Sequence, residues 1–368
     1  MTFPPTGAFP RLPLSSGADV DPHHSPDPSA RRPGGASPSV VALGGGHGLS
    51  ANLAALRRIT PVLTAVVTVA DDGGSSGRLR DELGVLPPGD LRMALAALCD
   101  DSEWGRTWRD VMQHRFSSSE GRSTTLDNHA LGNLLIVTLW ELLGDPVAGL
   151  EWAGALLGAR GRVLPMSTQP LVIAGDVPGD VTGDAPGAPS AGGSTPEGEG
   201  SLGTVRTITG QAVLAKQADV GNVRLVPPDA PACPQAVEAV GLADWVIMGP
   251  GSWHTSVLPH LLLPELREAI CGTRARRCVT LNLSPDTETR GKTAADHLRV
   301  LHSYCPELSL DVVLADPSAT EDGADLEEVA RGLGAEVFYA DVRAHPGTAV
   351  HNTLRLAAAY QEIFERHR

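Results

Sequence analysis

Five loops in this sequence combine glycine with polar side chains in the way an anion-holding turn requires. The first is Gly44-Gly45-Gly46-His47-Gly48-Leu49-Ser50, between an apolar run at 39–43 and a helical pattern from Leu49 to Arg58. Glycines let a backbone turn tightly and bring its N–H groups close to a phosphate, and the N-terminus of the next helix adds partial positive charge. The loop is neither a Walker A motif, which ends Gly-Lys-Ser/Thr, nor a clean GxGxxG match, so tight helix–strand packing is its alternative use. His47 suits a hydrogen-bonding contact better than a catalytic base.

The second loop, Asp71-Asp72-Gly73-Gly74-Ser75-Ser76-Gly77-Arg78, follows the apolar run Val62–Val69. Gly74 and Ser75 can donate to phosphate, and Asp71 or Asp72 can grip ribose hydroxyls or a Mg²⁺ shell. An aspartate helix cap is the plain alternative. In the third, Leu86-Pro87-Pro88-Gly89-Asp90-Leu91-Arg92, Asp90 is the expected N-cap of the following helix. Arg92 then falls in the first turn, where the helix dipole disfavours a cation. It suits pairing with a ligand anion, or with Asp71 or Asp72; a structural ion pair serves equally. The fourth, Asp127 to Asn133, places His129 and Asn133 at the start of the most apolar helical pattern, where buried polar groups need partners. The fifth is Gly249-Pro250-Gly251-Ser252-Trp253-His254-Thr255-Ser256. It lacks the GxSxG elbow of a serine hydrolase. Gly251, Ser252 and Thr255 read as phosphate donors, with Trp253 and His254 as flat surfaces for a base or sugar.

Short apolar runs at 39–43, 62–69, 244–248, 279–283, 312–314 and 336–339 alternate with helical patterns at 49–58, 90–98, 131–143, 294–301, 325–332 and 348–366. Such alternation predicts an α/β fold with a mostly parallel sheet and helices on both faces. Ligands of these folds sit at the carboxyl ends of the strands, so the loops at 44–48, 71–77 and 249–255 are expected along one sheet edge. Residues 1–38 hold nine prolines among Ser, Gly and Asp and read as a disordered tail. Residues 178–203, with eight glycines and four prolines, read as a flexible insertion in a single domain over 39–368.

The net charge of −14 argues against nucleic acid or an anionic membrane as partner, both of which need a basic field. Five cysteines without a CxxC pair, odd in number, read as small buried residues of a reducing cytosol. No run has the length of a transmembrane span or the form of a signal peptide, so the chain reads as cytoplasmic.

Together the segments VVALGGGHGLSANLAAL, TAVVTVADDGGSSGRLRDELGVLPPGDLRMALAAL, HALGNLL, RGRVLP, ADWVIMGPGSWHTSVLPHLL and TLNL…TAADHLRVL resemble the YvcK/CofD-like family from about Val40 to the last helix. The resemblance implies a three-layer Rossmann-like fold and two functional branches. One is a Mg²⁺-using phospholactate transferase of deazaflavin cofactor synthesis. The other is a regulator, not an enzyme, that binds UDP-N-acetylglucosamine, supports growth on gluconeogenic carbon sources and helps maintain cell shape and wall synthesis. The SSGRLRDELGVLPPGD and GPGSWHTS wording is similar to the regulatory branch. That implies a nucleotide-sugar ligand held by the five loops and Asn282, no obligatory cofactor, and wall-synthesis regulators or a second copy of the chain as candidate partners. The chain departs from the family at His47, commonly Thr, and at His254, commonly a Tyr tied to nucleotide-sugar binding.

Overall fold

The computed structural model describes residues 37–118, 124–178, 205–214, 216–217, 220–284 and 291–368. The expected tail up to residue 36 and the expected insertion over 179–203 lie outside the described residues.

The strands are β1 (Val40–Gly44), β2 (Leu63–Val67), β3 (Arg162–Pro165), β4 (Val172–Pro178), β5 (Val205–Thr209), β6 (Gly221–Val226), β7 (Trp245–Met248), β8 (Arg276–Thr280), β9 (Val312–Ala315) and β10 (Glu336–Tyr339). The helices are α1 (Gly46–Leu56), α2 (Gly74–Leu83), α3 (Gly89–Leu98), α4 (Glu103–Gln113), α5 (Leu131–Leu143), α6 (Pro146–Leu157), α7 (Gln211–Leu214), α8 (Pro234–Leu242), α9 (Pro259–Leu262), α10 (Pro264–Gly272), α11 (Ala294–Tyr304), α12 (Gly323–Gly332) and α13 (Thr353–Arg366).

Seven strands form one parallel sheet in the order β10-β9-β8-β7-β1-β2-β3. Every residue of β1, β7 and β9 is buried, as expected of strands covered by helices on both faces. β1 is an interior strand, next to the central β7: Val40 pairs with Leu63 on one side and Trp245 on the other. The chain runs outward from β1 through β2 to β3, and from β7 through β8 and β9 to β10. Right-handed crossovers therefore put the two sets of helices on opposite faces and leave a crevice at the carboxyl ends of β1 and β7. A smaller antiparallel sheet, β5-β4-β6, adjoins this edge through α7, whose Ala212 N–H donates to Asp72 at 2.8 Å.

Several sequence expectations shift. α1 begins at Gly46 rather than Leu49, inside the glycine loop. The strand expected at 279–283 runs from Arg276 to Thr280. Its arginines conceal it in the sequence, yet Arg277 is buried because its guanidinium donates to the carbonyls of Ile270, Cys271 and Thr273 at the end of α10. The last helix begins at Thr353 rather than 348, where Asn352 accepts from the Leu354 and Arg355 N–H groups. The strand β3, the small sheet and helices α2, α4, α6, α7, α8, α9 and α10 were not among the elements expected from the sequence.

Candidate functional site

The loops after β1, β2 and β7 lie side by side on one edge of the sheet, because those strands are adjacent and parallel. The loops after β1 and β7 interlock. A Cβ on Gly48 would stand 2.2 Å from the Pro250 carbonyl oxygen and 2.8 Å from Gly251 Cα. The Asn52 side chain of α1, fully buried, donates to the Gly249 carbonyl at 2.8 Å. From β8, the Asn282 amide pairs with both backbone groups of Gly251, each at 2.8 Å. Gly251 has φ +147°, open to glycine and strained for other residues.

These contacts frame a cavity of about 480 Å³, lined by the backbone of Gly45–Gly48, by Gln211 from α7, by Pro250–Ser252, Thr255 and Ser256, by 282–284, and by Ala349 and His351. Its volume suits a small ligand. Among the described residues the lining carries no Asp, Glu, Lys or Arg. Its polar groups are the N–H groups at the start of α1, hydroxyls, amides and imidazoles, a set that can hold an anion by dipoles.

Eight of the residues expected to bind line this cavity: Gly45, Gly46, His47, Gly48, Gly251, Ser252, Thr255 and Asn282. His254 does not. After β7 the chain winds into a π-helical turn, Trp253–Val257, capped by Ser252 through the Thr255 N–H. That winding turns Ser252, Thr255 and Ser256 toward the cavity and carries Trp253 and His254 inward, both 2% exposed. Trp253 stacks on His297 of α11 with centroids 5.2 Å apart, so it too is packing rather than a ligand platform. Burial pushes the His254 imidazole down to about 4, with the Lys292 charge adding to the effect.

The other expected residues form a second polar cluster that meets the first loop at Asp90. Asp90 is not the cap of α3. The Pro-Pro-Gly turn starts the helix at Gly89 and makes Pro88 the N-cap. Asp90 instead points behind the first glycine loop, where Thr68 Oγ1 lies at 3.4 Å and the Gly46 N–H donates to it. A Cβ on Gly45 would come within 2.5 Å of its Oδ2, so the glycine makes room for the carboxylate. Burial raises the Asp90 carboxyl to about 7, and the nearby Asp71 charge raises it further. Asp71 is raised too, chiefly by burial, although the Gly73 N–H and Ser76 hydroxyl bond to it.

Arg92 lies beside this acidic pair, 3% exposed, with Nε donating to Asn133 Oδ1 at 2.9 Å. Asn133 Nδ2 donates to Ser75 Oγ at 2.9 Å, and Ser75 bonds His129 Nδ1 at 3.0 Å. Arg92 Nη1 has no hydrogen-bond partner among the described residues. Of the expected pairings, the structure therefore places Arg92 against Asn133 and near Asp90 and Asp71, not on Asp72. Asp72 caps α7 and has turned away. Arg78 donates to the Asp127 carbonyl at 2.6 Å and braces the loop before α5, away from the cavity lining. Gly74, at φ +51°, opens α2.

The sequence pattern did not mark Asp90 as a site group, nor Gln211, Ser256 and His351. His351 arrives from beyond β10, beside an isolated bridge to Arg343. Its ring bonds the Leu281 backbone, burial pushes it down to about 4, and Nε2 has no partner among the described residues. Its signal was a histidine just before a capped helix, which is no signal until the last strand is placed.

The arrangement can be compared with known proteins. The model of the family described as 2-phospho-L-lactate transferase CofD matches residues 40–351. A Mycobacterium leprae protein whose name includes the words gluconeogenesis factor is 47% identical over 334 residues, covering 89% of this chain and 87% of its own. The Bacillus subtilis gluconeogenesis factor is 29% identical over 348 residues, 90% of this chain and 99% of its own. A crystal structure of a UPF0052-family protein from Bacillus halodurans superposes with a TM-score of 0.72 at 31% identity, covering 88% of this chain and 99% of that one. No helix among the described residues is long and apolar enough to cross a membrane. Sequence and fold agree over nearly the whole length, and the chain belongs to the CofD family.

Proposed function

We propose that this chain is a gluconeogenesis-factor-type regulator that binds UDP-N-acetylglucosamine in the cavity at the ends of β1, β7 and β8. The observation that carries the reading is the lining: N–H groups, hydroxyls, amides and imidazoles, with no Asp, Glu, Lys or Arg among the described residues. In this reading the diphosphate rests on the first turn of α1 and on Ser252 and Thr255. Asn282 and His351 face the uridine or sugar. Regulation of wall synthesis and of growth on gluconeogenic carbon would follow from occupancy of the site.

UDP-N-acetylglucosamine at one hundred times its dissociation constant should stabilise the protein by about 2.7 kcal/mol. Calorimetry that finds no heat with this ligand would sink the proposal. His351→Ala should weaken binding by roughly 1–2 kcal/mol, the scale of one lost hydrogen bond plus packing. His254→Tyr should instead lower stability without a specific effect on affinity, because that ring is packed in the wall.

A second reading, Mg²⁺-dependent phospholactate transfer, is favoured by Asp71 and Asp90. They repel each other in a buried site. A divalent ion between them would relieve that repulsion and supply charge neutralisation for a phosphate, whereas Asp72 is committed to α7. Clear binding of a deazaflavin acceptor, with Mg²⁺-dependent turnover and no UDP-N-acetylglucosamine heat, would select this reading.

A further inference from the structure

We propose that Cys271 and Cys305 form an oxidisable dithiol, a modification site at which a peroxide drives a reversible intramolecular disulfide. Cys271 lies in the last turn of α10, and Cys305 is the C-cap of α11. The fold brings their sulfurs to 3.5 Å. A disulfide bond is about 2.05 Å long, so small side-chain rotations close the remaining gap.

The two thiols have different roles. Cys271 is partly exposed, whereas Cys305 is fully buried. Peroxide therefore meets Cys271 first. Its thiolate attacks one peroxide oxygen, the O–O bond breaks, and after proton transfer the products are a sulfenic acid and one water. The Cys305 thiol then attacks the Cys271 sulfur, loses its proton and expels the hydroxyl as a second water. Two electrons pass in all from the thiol pair to the peroxide. Burial first, and then the neighbouring thiol, raise the Cys305 thiol above its ordinary range, which leaves Cys271 as the group that peroxide oxidises.

The third group at this place is Glu307, whose carboxylate lies close enough to both sulfurs to complete a metal-ligand set. It is already engaged, because Arg267 grips it with two N–H groups. A soft metal would have to displace that arginine, whereas a disulfide leaves the ion pair intact. The remaining cysteines, Cys99, Cys233 and Cys278, are all buried.

The test uses the full chain. Protein is treated with hydrogen peroxide, blocked with N-ethylmaleimide and mapped by mass spectrometry without reduction. The expected product joins the peptides of Cys271 and Cys305, weighs two hydrogens less than their sum and is lost on adding dithiothreitol. In Cys305→Ser, Cys271 should accumulate as a sulfenic acid trapped by dimedone. In Cys271→Ser, Cys305 should stay reduced. The mapping of the parent chain decides the matter even where a variant does not fold. Cys271 carried to sulfinic or sulfonic acid with no joined peptide would overturn the proposal. So would one zinc bound per chain with both thiols protected, which would make the group a metal site.

Discussion

Gly48→Ala should lose about 3 kcal/mol of stability and the capacity to bind a nucleotide sugar, the scale of forcing a methyl group into a rigid contact. The added Cβ would meet the Pro250 carbonyl carbon and oxygen at 2.6 and 2.2 Å, and Gly251 Cα at 2.8 Å. All three are backbone atoms, which cannot rotate away as a side chain would. Relief requires the β1 and β7 loops to part, and those loops are two walls of the cavity. The substitution therefore strikes folding and site together. Gly241→Ala is the matched control: it lies in α8, a Cβ there would meet nothing within 4 Å, and it should gain about 0.5–1 kcal/mol from helix propensity. Urea unfolding of the three proteins gives the comparison. Equal stability of Gly48→Ala and the parent would show that the loops do not interlock.

Asp90→Asn should make the ligand-free protein more stable at neutral pH, with the gain vanishing in acid. The Asp90 carboxyl rises from 3.8 to about 7 on folding, first through burial and then through repulsion by Asp71. Between those values the folded state holds a proton that the unfolded state has released, so parent stability falls as pH rises. The loss is complete above about pH 7 and absent below about pH 4. Three units at 1.36 kcal/mol each set a ceiling of about 4 kcal/mol, and a realistic gain is roughly half of that. Asparagine keeps an acceptor for the Gly46 N–H and the Thr68 hydroxyl while removing the charge. Unfolding at pH 4.5, 6 and 8 should show parent and variant diverging as pH rises. Curves that stay parallel would mean Asp90 is ionised without penalty.

Local composition was enough to reveal the α/β class, the parallel sheet and the sheet edge that carries the glycine loops. Buried parallel strands are written as continuous apolar runs such as Leu63–Val67 and Trp245–Met248, and the turns after them are written in glycine. Seven cavity-lining residues were legible for that reason, since each stands in a strand-ending glycine loop, and Asn282 came from the family resemblance. Tertiary structure alone decided how those loops are used. Asp90 looked like a helix cap and became a buried carboxyl behind the first glycine loop, because the Pro-Pro-Gly turn moves the N-cap of α3 two residues back to Pro88 and aims the carboxylate at Gly45 and Gly46. Asp72 and Arg78 looked like ligand groups and instead brace neighbouring elements, because α7 and the loop before α5 fold onto them. His254 looked like a stacking surface and was turned into the wall by a π-helical turn that no periodicity encodes. His351 and the Cys271–Cys305 pair depend on contacts between elements far apart in the chain. Residue type limits what a side chain can do, but its direction and its neighbours are set by packing, and those decided which polar groups reach the cavity.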